Sequence, residues 1–248
     1  MPPRPEREKD DGGPSLWRSI GHLLGESGKQ LGTVPTVARE LLRTINNARK
    51  DPAYSSIFHA PRSILNQKIT GSRRFAAQSY DLSRIKAVCK IYGTTVNDVV
   101  MAMCATALRS YLMNQDALPE KPLIAMVPVS LRKDDSSGGN QVGVILASLH
   151  TDVTSPVTRL MQIHEDVKAA KDRYAHMSAE EIINYTALTL APAAFHLLTG
   201  MAPKWQTFNV VISNVPGPRE TCYWNGAMMD GMYPVSIAMD RLALNMTL

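Results

Sequence analysis

Apolar residues recur with helical spacing along much of the chain after residue 80. One segment is apolar nearly all round, as expected for a helix inside a core. A glycine, Gly93, ends the helix before it, and Ser178 and Glu181 have the spacing of a capping box that opens the last helix. Pro192 is expected to bend that last helix. The predicted helices span about 82–92, 96–112 (the apolar one), 156–174 and 178–201.

Short apolar or alternating runs between these helices predict strands. They cover about 73–80, 123–129, 142–149 and 208–213, with two or three more between 221 and 248. Strands and helices alternate without the strict βαβ rhythm of a parallel sheet. We therefore expect an α/β layered sandwich with a mixed sheet and helices on one or both faces.

The N-terminal quarter is less regular. Residues 1–14 are rich in proline, glycine and charge, 15–50 show loose helical stripes, and 51–70 resemble a loop. The pattern divides the chain into a linker with a loosely helical segment, 1–60, and a half-domain, 61–248.

Composition fits a globular protein, with 44% hydrophobic and 20% charged residues in 248. The net charge of +5 favours phosphate-bearing ligands or acidic lipid headgroups. Nucleic acid is not expected as a partner, because no basic run interleaves with aromatic residues. The three cysteines lie far apart without zinc spacing, which fits a reducing compartment. No apolar run follows the first residues, so no signal peptide is expected.

Thr95, Asn97 and Asp98 precede the apolar helix. Thr95 can cap the helix and Asp98, three residues later, can return the bond at the positive end of the helix dipole. Direct contact of Asn97 and Asp98 with a substrate is the alternative, and capping is favoured.

Two strand ends carry further candidates. Arg132 follows a predicted strand, where a solvated strand end is favoured over a phosphate contact. Another strand ends in a turn whose two prolines and one glycine restrict its shape, so it can line a cleft or be a turn alone. The residues of this turn that we select are Ser213, Asn214, Pro216, Gly217 and Pro218.

The six histidines supply no recognisable catalytic motif. No two are adjacent, and none has an aspartate four residues later. His22 and His176 have a glutamate at that spacing, a pattern common by chance, and His164 lies on an apolar stripe, where a bonded core histidine is expected. We assign no catalytic residue, no metal ligand and no cofactor.

The run from Ile182 to Ala202 contains no Asp, Glu, Lys or Arg. Its length would suffice to span a bilayer, but Asn184, Thr186 and Pro192 dilute its apolar character. A buried helix, or one lying against a lipid-filled groove, is favoured over a membrane span.

Taken in order, several segments from about residue 62 onward resemble the bacterial wax ester synthase/diacylglycerol acyltransferase family. The matching stretches are Thr94–Val100, Pro128–Arg132, Gly139–Gly143, Asp152 with Pro156–Leu160, Ser213–Pro218 and Leu244–Thr247. The first also resembles the wider superfamily of chloramphenicol acetyltransferase and peptide-synthesis condensation domains.

The resemblance implies one half of a two-half fold with a tunnel between the halves. It implies transfer of a fatty acyl group from acyl-coenzyme A, a substrate and not a cofactor, to a diacylglycerol or fatty alcohol. The base would belong to a His-His-x-x-x-Asp-Gly motif, which this sequence lacks. We therefore expect a fragment truncated at its C-terminus, acting with a missing N-terminal half. It would lie in the cytoplasm, peripheral to membranes or lipid droplets.

Two alternatives remain at this point. One is a non-catalytic half-domain that binds lipid, coenzyme A or a partner chain. The other is a condensation-type domain. The sequence does not distinguish triacylglycerol from wax ester as the product.

Overall fold

The computed structural model describes residues 60–130, 142–199, 206–215, 217–218 and 220–248. Within them the helices are α1 (Leu82–Tyr92), α2 (Val96–Asn114), α3 (Pro156–Ala175) and α4 (Ala179–Thr199). The strands are β1 (Ile124–Ser130), β2 (Val142–Ser148), β3 (Val210–Ser213), β4 (Tyr223–Trp224), β5 (Ala227–Met228) and β6 (Asn245–Thr247). A 3-10 turn, Ile64–Asn66, lies between the start of the described residues and α1.

Four strands form one mixed sheet in the order β2-β1-β3-β6. β1 is antiparallel to β2 and parallel to β3, and β3 is parallel to β6. The remaining two strands, β4 and β5, form a separate hairpin. The predicted α/β layers with a mixed sheet are therefore confirmed.

Helices cover both faces of this sheet. Successive residues of a strand point to opposite sides, so β1 contributes side chains to a core on each face. Ala125 and Val127 of β1 belong to the larger core, which α2 and α3 complete. Ile124 belongs to a smaller core on the other face, against which Met126 and Leu190 of α4 pack. Side chains on both faces thus hold β1 at the centre of the fold.

The helix end predicted at Gly93 and the capping box predicted at Ser178 and Glu181 are confirmed. Gly93 ends α1 in the left-handed conformation, with φ of +66°, which glycine adopts without a steric penalty. Ser155 caps α3 ahead of Pro156, the first residue of that helix. The Ser178 amide donates to the Glu181 carboxylate, and the Glu181 amide donates to the Ser178 hydroxyl.

One buried asparagine links three segments near the start of β1. The Asn209 side chain is fully buried and accepts a hydrogen bond from the Ile124 amide. Its own amide nitrogen donates to the Pro61 carbonyl and to the Asn66 side chain. The oxygen and the nitrogen of this side chain are both hydrogen-bonded within the protein. These bonds replace those to water, so they offset the cost of burying the amide.

The open edge of β2 is closed by side chains of two helices. The Tyr174 hydroxyl of α3 donates to the Val144 carbonyl, while the Val144 amide donates to the Thr186 hydroxyl of α4 at 3.4 Å. Val144 lies opposite Pro128 in β1. Both backbone groups of Val144 therefore point away from β1, where an uncovered strand would present unpaired groups.

One predicted strand is wrong. Residues 73–80 have no strand structure, and all eight are exposed. An extended segment becomes a strand only when its backbone groups form hydrogen bonds with a neighbouring strand. The sequence pattern shows that a segment can be extended, but it does not show whether a partner strand lies beside it. The loosely helical stripes of 15–50 lie outside the described residues.

α4 runs from Ala179 to Thr199 without interruption at position 192. Ile182 and Thr189 are buried, whereas Leu188 is 44% exposed, so one side packs and the other does not. In the described part of the chain, no single helix is both long and apolar enough to cross a membrane. Only α1 and α2 taken together reach that length and composition, and they are bent by 103°.

An apolar segment near the end of the chain is exposed, and we name residues 223–237 the apolar segment. Its hairpin turns at Asn225 and Gly226, whose φ values of +48° and +84° suit the tight turn that Asn-Gly favours. Its large exposed side chains are Tyr223, Trp224, Met228, Met229, Met232, Tyr233, Val235 and Ile237. An apolar surface of this size is unusual for a protein that acts alone.

Candidate functional site

Several candidate residues lie toward one edge of the sheet. The parallel strands β1, β3 and β6 all end there, so Ser213 and the turn that follows β3 lie at this edge. Near the end of α2, Arg109 donates to the Thr151 carbonyl, and the Leu123 amide just before β1 donates to the Thr151 hydroxyl. The end of α2 therefore lies near the start of β1, and α2 begins toward the edge where β1 ends. The topology thus places the start of α2 and the Ser213 turn on one side of the fold.

The first turn of α2 is built as a capping box. The Thr95 hydroxyl accepts from the Asp98 amide at 3.3 Å, and the Thr95 amide donates to Asp98 Oδ2 at 2.9 Å. The Thr95 hydroxyl also donates to Asp98 Oδ2, with 2.8 Å between the two oxygens. The carboxylate also lies at the positive end of the helix dipole, where negative charge is stabilised.

A histidine from another helix completes this arrangement. His164 Nδ1 lies 2.7 Å from Asp98 Oδ2. The Asp98 side chain is only 2% exposed, and that of His164 is 19% exposed. The carboxylate oxygen accepts hydrogen bonds and has no proton to donate, so Nδ1 of the imidazole is the donor in this pair. Such a pair fixes the orientation of the imidazole ring.

Asn97 stands beside this pair with little to hold its side chain. The hydrogen bond that the described residues give its amide is a long one, 4.0 Å, to the sulfur of Met101. Its side chain is half-buried. The direction of the Asn97 amide therefore follows the position of the first turn of α2.

α2 and α3 lie side by side and run in opposite directions. Beyond the Asp98–His164 pair, Arg159 of α3 donates to the Thr106 hydroxyl at 2.8 Å and to the Val153 carbonyl. Near the far end of the pair, Arg109 donates to the carbonyl of Thr151. Burial, and then the nearby charge of Arg109, lower the pKa of Arg159. These contacts join the two helices at points beyond the Asp98–His164 pair.

A second histidine pair anchors α3 to the loop after β2. His150 Nε2 lies 2.8 Å from the carboxylate of Asp166. The His150 backbone has a φ of +45°, an uncommon value outside glycine. α3 thus contributes a histidine to one pair and an aspartate to the other.

The structure places the predicted site residues in three groups. Asn97 and Asp98 lie in the first turn of α2, as described above. Ser213 ends β3, and Asn214, Gly217 and Pro218 follow it on the surface. Arg132 and Pro216 lie outside the described residues. Within the described residues no hydrogen bond joins the first turn of α2 to the Ser213 turn.

Sequence reasoning missed both histidine–aspartate pairs. The partners are 66 residues apart in one pair and 16 in the other, so no motif at fixed spacing reveals them. One signal was present for His164: it lay on the apolar stripe of its helix, where a bonded histidine was expected. That expectation is confirmed, and the partner is a buried carboxylate on a neighbouring helix.

Comparison with known proteins decides the family. The family model described as the wax ester synthase/diacylglycerol acyltransferase catalytic domain matches residues 2–100, and that of the WS/DGAT C-terminal domain matches residues 138–248. The chain belongs to the wax ester synthase/diacylglycerol acyltransferase family. The match to the catalytic-domain model comes first along the chain, and the match to the C-terminal-domain model follows it.

Individual members of the family give the same result. The chain is 50% identical over 230 residues to an O-acyltransferase WSD of Acinetobacter baylyi, covering 92% of this chain and 50% of that protein. It is 41% identical over 251 residues to a probable diacylglycerol O-acyltransferase of Mycobacterium tuberculosis, covering 100% and 54%.

A solved structure of the family shows the same fold. The wax ester synthase/diacylglycerol acyltransferase from Marinobacter aquaeolei VT8 is 70% identical to this chain, with a TM-score of 0.69. The match covers 90% of this chain and 49% of that one. The chain therefore spans about half the length of the wax ester synthase/diacylglycerol acyltransferases that it matches.

Proposed function

We propose that this chain forms one half of an O-acyltransferase that moves a fatty acyl group from acyl-coenzyme A to a diacylglycerol or a long-chain alcohol. The observation that carries the proposal is the 70% identity to the Marinobacter enzyme over 90% of this chain. The acyltransferase names of the relatives also favour acyl transfer over a non-catalytic or condensation-type domain.

The reaction needs a base that this chain is not expected to supply. The hydroxyl oxygen of the acceptor attacks the thioester carbonyl, its proton passes to the base, and coenzyme A leaves as the thiol. The family resemblance assigns the base to a His-His-x-x-x-Asp-Gly motif, and no two histidines are adjacent here. We therefore assign the base to a partner half of the enzyme.

The contribution of this chain is then to shape the site. The first turn of α2 offers the side-chain amide of Asn97, whose N–H groups can donate to a developing negative charge. The Ser213 turn lies on the same side of the fold. Arg132, which follows β1 in sequence, is our candidate contact for a coenzyme A phosphate.

The apolar segment is the surface that we propose for the partner half. The matched relatives are about twice as long as this chain, so a second body of similar size accompanies the same fold in them. Burying eight large apolar side chains against that body would remove them from water. This supports an assembly of two halves over a half that acts alone.

A reconstitution assay tests the proposed function. The chain is purified alone and also co-expressed with a half that bears the His-His-x-x-x-Asp-Gly motif. Each is given palmitoyl-coenzyme A with hexadecanol or diolein. We expect thiol release and new ester from the complex, and background rates from the chain alone.

Two results would contradict this assignment. A complex that forms but produces no ester from either acceptor would remove the proposed function. Robust turnover by the chain alone would move the base into this chain, and its loss in His22→Ala or in His164→Asn would identify which histidine serves.

We also propose a cytoplasmic location at the surface of membranes or lipid droplets. Support comes from the net charge of +5 and from the exposed Leu188 on a stretch of α4 without charged residues. Such a protein leaves membranes during an alkaline carbonate wash. Retention in the pellet would instead indicate a chain inserted across the bilayer.

A further inference from the structure

We propose that His164 is a positioning residue for acyl transfer, holding Asp98 and through it the first turn of α2 that carries Asn97. The inference rests on the proposed function, in which Asn97 lines the site. It assigns His164 no contact with the substrate.

Hydrogen bonds within the first turn of α2 cannot hold that turn in place. Asp98 Oδ2 accepts two of its three hydrogen bonds from Thr95, three residues earlier in the same turn. Those bonds shape the turn but move with it. The third comes from His164 on α3, so it is the bond that ties this carboxylate to another element of the described fold.

The hydrogen bond between His164 and Asp98 is strong and is sheltered from water. A hydrogen bond to a charged group is shorter than a neutral one and contributes more, and the separation of 2.7 Å fits that class. The Asp98 side chain is 2% exposed, so water does not compete for its oxygen as it would at the surface.

The position of this turn determines where the Asn97 amide lies. The Asn97 amide has only the 4.0 Å contact with the Met101 sulfur among the described residues, so its place depends on the backbone of the turn. Groups that stabilise a developing charge act only within a narrow distance. Releasing the turn would therefore slow the chemical step more than it weakens binding of acyl-coenzyme A.

Two substitutions at one position separate positioning from other roles. The amide nitrogen of asparagine takes about the place of Nδ1, so His164→Asn retains a donor to Asp98. The amide of glutamine reaches instead to about the place of Nε2, so His164→Gln loses that donor. Thr106→Val is the matched control, because it breaks the Arg159 contact elsewhere along the same helix pair.

The measurement is steady-state kinetics of the co-expressed complex with palmitoyl-coenzyme A and hexadecanol, well below the unfolding temperature. We expect His164→Gln to lower kcat about tenfold, with KM for palmitoyl-coenzyme A changed less than about twofold. His164→Asn should stay within about threefold of the unsubstituted complex, and Thr106→Val should lower the unfolding temperature while its kcat remains unchanged.

Several outcomes overturn the inference. If His164→Asn is as slow as His164→Gln, the ring acts through Nε2 and not as a support for Asp98. If His164→Gln keeps full kcat, or if Thr106→Val loses as much, the bond has no special effect on the reaction. An unsubstituted complex without activity is a different result, because it removes the proposed function itself.

Discussion

At the scale of single residues, Asp98 joins two structural roles in one oxygen atom. Oδ2 receives the donors that cap α2 and also the donor from α3. A change at this side chain therefore disturbs the start of a core helix and the contact between two helices. Thr95 takes part in the cap alone.

The two residues should consequently differ in their effect on stability. We expect Thr95→Ala to lower the free energy of unfolding by about 1 kcal/mol, the usual cost of a lost cap. We expect Asp98→Ala to lower it by about 2–4 kcal/mol, because this change also removes the charged acceptor of the hydrogen bond from His164. Urea unfolding of the purified chain, followed by circular dichroism, measures both.

The ratio of the two effects is the informative quantity. Equal losses would mean that the His164 bond contributes nothing to stability. An Asp98→Ala chain that is as stable as the unsubstituted one, yet inactive in the complex, would show that Asp98 acts in the reaction and is not mainly structural.

The predictable part of this site is the part that is local in sequence. Thr95 and Asp98 are three residues apart, and a cap follows from that spacing and from the apolar run behind it. The contribution of His164 depends on how α3 packs across α2, a relation that no single stretch of sequence contains. The same reason hid the bonds of Asn209, whose partners come from distant segments.

At the scale of elements, β2 is an edge strand closed by side chains and not by another strand. Tyr174 and Thr186 bond the two outward backbone groups of Val144. Burial raises the pKa of Tyr174, and a hydrogen bond from Thr186 lowers it by a smaller amount. The resulting pKa is about 12. The hydroxyl is therefore neutral, and able to donate, over the whole physiological range.

Alkaline pH should weaken this closure. The folded chain holds the Tyr174 proton more tightly than the unfolded chain, whose tyrosines ionise near pH 10. The stability contributed by this group is therefore complete below about pH 10 and is lost as the pH rises toward 12. We expect a loss of roughly 1.3 kcal/mol between pH 9 and pH 11, which Tyr174→Phe should not show.

Urea unfolding at pH 9, 10 and 11 measures the effect, with Tyr223→Phe as the control. Tyr223 is 66% exposed and lies in the hairpin, far in sequence from β2. At pH 8 we expect Tyr174→Phe to be less stable by about 1 kcal/mol, since the Val144 carbonyl loses its donor. If all three chains lose stability in parallel, Tyr174 is not responsible.

Elements with strong internal signals were predicted well. The helices carry stripes and caps of their own, and α1 also has a terminal glycine. The predicted helix ends that fall within the described residues agree with the structure to within about two residues. The segment 73–80 has no such signal, since a strand is defined by its neighbours. Sheet order was also beyond prediction, because β3 inserts beside β1 across a long stretch of sequence.

At the scale of the whole molecule, the apolar segment is the feature on which the proposed partner half rests. Trp224 is 84% exposed, and Val235 and Ile237 are 74% and 81% exposed. Exposed apolar side chains contribute little to the stability of the chain that carries them. They contribute to binding when a partner covers them.

Substitution in the apolar segment should therefore separate folding from assembly. We expect Trp224→Ser to leave the unfolding temperature of the chain within about 2 °C, and to weaken its association with the partner half by about tenfold or more. Titration of the labelled chain with the partner half, read by fluorescence anisotropy, gives the dissociation constant.

Ile91→Ser is the matched control for this measurement. Ile91 is 73% exposed on α1, so Ile91→Ser removes an exposed apolar side chain outside the apolar segment. Equal weakening by both variants would indicate general stickiness instead of a defined interface. Unchanged association in Trp224→Ser would remove the hairpin from the proposed contact.

The order of strands also has a consequence for the time course of folding. β1 lies between β2, which follows it closely in the chain, and β3, which begins about 80 residues after β1 ends. A ribosome adds roughly 5–20 residues per second, so one side of β1 waits roughly 4–16 s for its neighbour during synthesis. Throughout that interval a nascent chain exposes an apolar strand with unpaired backbone groups, the kind of surface that chaperones bind. We therefore expect the yield of folded protein to depend on chaperones more than its final stability would suggest.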